Sequence, residues 1–212
     1  MKQRHRSFWT MFVLGSVLLG AITLAAPPAG AVSSKPADPN EEWDIDDQPG
    51  VEPPAGSETL TGPWERQLVF FRSNELPGTI VVHTAEKHLY VVQGNNRAIR
   101  YGIGVGRDGF QWKGLVSVVR KQEWPDWRPP PEMIQRQPYL PRFMAGGPGN
   151  PMGARALYLG GTVYRIHGTN QPDTIGTNVS SGCFRLVNPD VIDLYDRVPV
   201  GTKVIVRQAA TI

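Results

Sequence analysis

The chain has 212 residues, 40% of them hydrophobic, which is enough for one domain with a real core. Its single cysteine excludes an internal disulfide framework, and no CxxC, HxxxH or HExxH spacing offers a metal site, so neither a metal nor another cofactor is expected. The formal net charge of +3 is unevenly spread, with +3 in residues 1–31, −7 in residues 32–63 and +7 from Trp64 onward.

Residues 1–31 read as a secretory signal peptide. Lys2, Arg4 and Arg6 precede an apolar run from Phe8 to Ala26, and Ala29-Gly30-Ala31 is a small-residue cleavage signal. The apolar run is also close to the length of a membrane span, so a retained leader would be a membrane anchor. In both cases the remainder is carried across the inner membrane, to the periplasm or cell envelope, and a nucleic-acid partner is not expected. Residues 32–63 are rich in Pro, Asp and Glu without an apolar period. They read as a disordered acidic tether, since so little apolar surface cannot offset the ordering entropy. A short lead-in, residues 64–77, follows. The basic domain beyond it suits an anionic partner as well as it suits a solvated surface.

The folded part is expected to be mostly β, an antiparallel sandwich-like domain over residues 78–208. Alternating β-branched and polar residues predict strands at 79–83, 88–93 and 97–105, with His83 and His88 at solvated positions beside the first turn. A strand over 114–121 leads into an irregular, lid-like insert at about 122–154, dense in Pro, Trp and Gly. Within it Pro131 starts a short helix to Arg136. Trp124 and Trp127 suit a wall over a cleft, with Trp127 a candidate substrate contact, and equally suit packing against the domain edge. Gly160-Gly161 joins strands at 155–159 and 162–167. In the second of these, Val163, Arg165 and His167 share one face, and Tyr164 and Ile166 the other. A strand over 183–187 precedes a helix capped by Asn188, with Pro189 at its first position and Val191, Ile192, Tyr195 and Val198 buried, and a strand near 203–207 closes the domain.

The candidate chemistry lies between His167 and Leu186. Cys183 needs a base or a positive field to become a nucleophile, and His167 is the one histidine of the C-terminal half. A lone cysteine is usually a small buried hydrophobe, but Asn178, Ser180, Ser181 and Gly182 are turn formers, not core residues. Gly168 and Gly182 remove bulk where a substrate backbone would approach. The main-chain N–H groups of Gly182 and Cys183 are the expected oxyanion donors. Arg185, with Arg165 as a weaker candidate, could meet a substrate carboxylate or form an ion pair within the fold.

This stretch resembles the signature of the L,D-transpeptidases, in which His-Gly is followed after about fifteen residues by Ser-His-Gly-Cys, an apolar residue and Arg or Asn. His167 and Gly168 match the first part, and Ser180, Gly182, Cys183, Phe184 and Arg185 the second. Ser181 stands where many members carry a second histidine. The resemblance covers about Gly78 to Arg207. It implies Cys183 as nucleophile, His167 as general base and the Gly168 carbonyl as the group orienting the ring. It also implies a thioester intermediate and peptidoglycan stem peptides as acyl donors. The acceptor amine would belong to another stem peptide or an envelope protein. Hydrolysis by the same pair, or a non-catalytic wall-binding module, are the alternatives. Cysteine peptidases of the papain type place Cys before His, the reverse of the order here.

Overall fold

The computed structural model describes residues 49–208; the expected leader and the first part of the tether lie outside the described residues. Eleven strands form where β-branched and aromatic residues alternate with polar ones. They are β1 (Gln67–Phe70), β2 (Ile80–His83), β3 (His88–Gly94), β4 (Arg97–Gly102), β5 (Val105–Gly106), β6 (Gly114–Glu123), β7 (Arg155–Leu159), β8 (Arg165–His167), β9 (Asn178–Ser180), β10 (Phe184–Arg185) and β11 (Lys203–Arg207). Among the described residues there are also two α-helices, α1 (Pro131–Arg136) and α2 (Asn188–Arg197), and two single-turn 3-10 helices at Gly62–Trp64 and Pro172–Thr174. The mostly β expectation holds. β1 and β9 are additional, the foreseen strand at 97–105 is interrupted after Gly102, and β8 starts only at Arg165. That late start has a local cause: Thr162 Oγ1 bonds back to the Leu159 carbonyl and accepts from Tyr164 N–H, extending the Gly160-Gly161 turn.

Nine strands form one sheet in the order β1-β4-β3-β2-β11-β6-β7-β8-β10, and β5 pairs with β9 separately. The long strand β6 joins the two halves of the large sheet. Gly114–Ser117 pair with β11 and Val118–Glu123 with β7, with a register shift between Val118 and Arg120. Such an irregularity bends a strand, and residues from both halves share one core: Ile80, Val82, Leu89 and Tyr101 from one, Leu157, Ile166 and Phe184 from the other, with Val191 and Leu194 of α2. The sheet is mixed where sequence alternation suggested antiparallel pairing throughout. β2 runs parallel to β11, β8 to β10, and β5 to β9. Alternation assigns faces and not strand directions, so it could not have distinguished these.

α2 begins one residue earlier than its sequence suggests. Val187 is the cap and Asn188 the first helical residue, because the Asn188 side chain is engaged elsewhere: its Oδ1 accepts from Ala154 N–H at 2.7 Å and its Nδ2 donates to Glu58 Oε1 at 2.6 Å. Leu194 joins Val191 and Val198 in the buried stripe, while Ile192 and Tyr195 are only half-buried. At the other end Lys121 Nζ donates to the Tyr195 and Val198 carbonyls, a cation at the helix C-terminus.

Three further expectations change. His83 and His88 are buried, not solvated, at 2% and 9% exposure. The segment before the domain covers them: His88 Nε2 bonds to the Pro63 carbonyl at 2.9 Å and packs on Trp64, and Phe71 lies edge-on to His83, while Glu86 of the β2–β3 turn meets His83 Nδ1 at 3.1 Å. Residues 49–63 of the expected tether are bonded to the domain, through Gly50 N–H to the Gly149 carbonyl, Asn170 Nδ2 to the Val51 carbonyl, and Glu58 to Asn188. Finally, Trp127 is 5% exposed, in a small second core with Met133, Leu140 and Met152. Paired main-chain bonds to Met144 fix it, so the tryptophan is chiefly the packing centre of the insert.

Candidate active site

Strand alternation builds the site. In the register of β6, β7, β8 and β10, Leu157, Ile166 and Phe184 point into the core, so their neighbours face the other way. Two rows of side chains result on that outer face. Ala156, His167 and Arg185 are cross-strand partners in one row. Arg120, Tyr158 and Arg165 are partners in the other, and Cys183, just before β10, continues that row beside Arg165 because Phe184 pairs with Ile166. All but the buried Ala156 line a cleft of about 720 Å³ that contains both His167 and Cys183. Asp126–Met133 and Met152 of the insert line it too, as do Tyr164, Ser180 and Ser181.

His167 is 4% exposed and its Nδ1 lies 2.6 Å from the Gly168 carbonyl. A carbonyl only accepts, so Nδ1 carries the proton and Nε2 is the basic nitrogen. Gly168 is held in turn. Its N–H donates to the Arg155 carbonyl, and a methyl group on its Cα would come within 2.4 Å of Asn188 Oδ1. Gly153, at φ +61°, packs against the same oxygen. Burial, then the Arg185 guanidinium, push the imidazole down to about 3, against weaker support from the Gly168 carbonyl. Burial pushes the Cys183 thiol up, and Arg165 and Arg185 pull it back part of the way. The resting pair is therefore a neutral thiol and a neutral imidazole in one cleft, with two guanidinium groups ready for the negative charge that reaction would create.

The loop before Cys183 is tightly determined. Gly182 adopts φ +106°, and a Cβ there would lie 2.4 Å from the Tyr164 ring, so only glycine fits. Its N–H donates to Ser180 Oγ at 3.2 Å, and that hydroxyl donates to the Cys183 carbonyl at 2.6 Å. Of the two amides expected to hold an oxyanion, that of Gly182 is thus turned to Ser180. Trp112 was not foreseen at all: its indole N–H donates to the Gly182 carbonyl at 2.8 Å while the ring stacks on Tyr164 at 4.8 Å. Arg185, 3% exposed, and Arg165 do join the cysteine and histidine in the cleft, whereas Trp127 reaches its lining from the packed insert.

Residues 77–206 match the family model of the L,D-transpeptidase catalytic domain. A probable L,D-transpeptidase, ErfK/SrfK, of Escherichia coli strain K12 is 41% identical over 176 residues, covering 76% of this chain and 53% of its own length. A solved Brucella melitensis chain, described as a probable carnitine operon oxidoreductase, is 43% identical. It covers 74% of this chain and 99% of its own at a TM-score of 0.47, and that description belongs to the Brucella protein. L,D-transpeptidase 3 of Mycobacterium tuberculosis shares the fold, with a TM-score of 0.51 at 15% identity over 61% of this chain and 60% of its own. The chain spans about half the length of the curated relatives it matches. With the catalytic-domain model matched over well more than half of its residues, the chain belongs to the L,D-transpeptidase family.

Proposed function

We propose that this chain is an extracytoplasmic L,D-transpeptidase that acts on peptidoglycan stem peptides through an acyl-enzyme on Cys183. The observation that supports it most directly is the arrangement of the thiol and the imidazole. His167 ends β8 and Cys183 directly precedes the parallel strand β10, both in one cleft, with the Gly168 carbonyl fixing the tautomer that leaves Nε2 basic.

In this reading His167 Nε2 takes the thiol proton as sulfur attacks the donor carbonyl, because neither group ionises beforehand. The developing oxyanion meets the Cys183 amide and the positive field of Arg165 and Arg185. Collapse breaks the C–N bond, His167 returns the proton to the departing amine, and a thioester remains. An acceptor amine then attacks the thioester and gives its proton to His167. A new amide forms, and the thiol recovers its proton. The acceptor would be a stem-peptide side chain or an envelope-protein amine. Water in its place would make the same pair a carboxypeptidase.

Incubating the purified protein with a disaccharide tetrapeptide and reading products by mass spectrometry tests the reading. A cross-linked dimer short of one terminal residue is the expected product, with no product from the Cys183→Ala variant. A hydrolysed monomer would reassign the protein as a hydrolase, and unchanged substrate would overturn the catalytic assignment.

A further inference from the structure

The row of side chains that ends at Cys183 has a composition the reaction alone does not require. Tyr158 lies between two arginines on neighbouring strands. The Arg120 guanidinium is 3.5 Å from the centre of the Tyr158 ring and that of Arg165 is 5.4 Å from it. Gln122 Oε1 accepts from Arg120 Nη1 at 2.7 Å and from the Tyr158 hydroxyl at 3.1 Å, which ties the outer arginine to the ring. A guanidinium stacked on an aromatic face and held at one edge has already lost much of its rotamer freedom, so it gives up less on binding an anion. All of these groups line the same cleft as the sulfur.

We infer that Arg120, Tyr158 and Arg165 form a carboxylate-reading subsite for an extended acidic peptide that crosses β8, β7 and β6 away from Cys183. Neighbouring strands lie about 4.8 Å apart, so the backbone of Arg120 is about 14 Å, three spacings, from that of Cys183. An extended peptide covers that distance in about four residues. Arg165 stands beside the reacting carbonyl and Arg120 at the far end. The site therefore selects acyl donors that carry a free carboxylate within a few residues of the bond being cut. Arg120 is the specificity residue. The inference names the substrate chemistry of the transpeptidase site and rests on that reading for its catalytic consequence, though the binding itself does not.

Two measurements separate the inference from the reading on which it rests. Titration calorimetry with the full chain carrying Cys183→Ala should show that an acidic tetrapeptide binds about tenfold more tightly than the same peptide with its distal carboxylate amidated. Adding Arg120→Gln should shrink that preference to near unity, as expected for loss of a charge-assisted hydrogen bond. Arg120→Lys, which keeps the charge but not the fork, should retain only part of it. In the enzyme with Cys183 intact, the same preference should appear in kcat/KM through KM. Binding preference without turnover leaves the subsite standing and removes the transpeptidase reading. A preference that Arg120→Gln leaves intact, or an equal loss for both peptides, overturns the subsite. Arg120 is exposed on its strand, so the variant is expected to fold, and an unchanged melting temperature verifies that.

Discussion

Cys183 and His167 are displaced from their ordinary titration ranges in opposite directions, and the displacement determines how the pair can work. With the imidazole pushed down to about 3 and the thiol pushed up, no stable thiolate–imidazolium pair exists in the free enzyme. Alkylation of Cys183 by iodoacetamide should therefore rise steadily with pH and continue past the ordinary thiol range. A plateau between about pH 5 and 8, the mark of a preformed ion pair, would contradict this. The same shift has a consequence for stability. Between about pH 6.5 and 3 the unfolded chain binds a proton at position 167 that the folded chain refuses, so stability falls as pH falls through that window. His167→Gln should flatten the acid limb of the stability curve, read by denaturant melts across that range. The identities of the two residues were legible in the sequence, because a lone thiol among turn formers calls for a base. Their electrostatics were not, since Arg165 and Arg185 act through strand register. His83 and His88 illustrate the opposite error: their flanking turn suggested solvent, but Pro63 and Phe71 reach them from outside the local pattern.

At the scale of elements, the Cys183 loop depends on a partner seventy residues away in sequence. Trp112 holds the Gly182 carbonyl and stacks on Tyr164, which itself occupies the space a Gly182 side chain would need. Trp112→Phe preserves the stack and deletes the bond, so it should cost about 1 kcal/mol of stability. Because the loop that carries the sulfur then loosens, kcat should fall several-fold with KM nearly unchanged. Thermal melts and steady-state kinetics measure the two effects. Gly182→Ala should be far more severe, losing about 2 kcal/mol or more, since it combines a left-handed backbone with a collision against the Tyr164 ring. The glycine was visible as a turn former beside the cysteine. The indole was not, because no local period links positions 112 and 182.

For the domain as a whole, the segment at 49–63 connects the chain's approach to the site. Glu58 accepts from Asn188 Nδ2, and Asn188 Oδ1 packs on Gly168, whose carbonyl orients His167. Val51 is held by Asn170, two residues beyond Gly168. Glu58→Ala should therefore lower kcat by about fivefold at most, the equivalent of one hydrogen bond of about 1 kcal/mol, with KM unchanged. Glu58→Gln, whose amide oxygen still accepts from Asn188, should restore it. A loss of melting temperature without a change in kcat would reduce the segment to a structural strap.

The sequence by itself determined the class of fold, the insert and the two helices, and it singled out the thiol, imidazole and glycines of the candidate site. Each rests on a local cause: alternation, a proline at a helix start, or the residue types a nucleophile requires. Only the tertiary structure decided that the sheet is mixed, that composition mistook residues 49–63 for a free tether, and that Arg120, Trp112 and Asn188 stand around the site. Those outcomes depend on which strands pair and in which register. Register is selected by burying one face of each strand against the whole core, and no short window of residues contains that information.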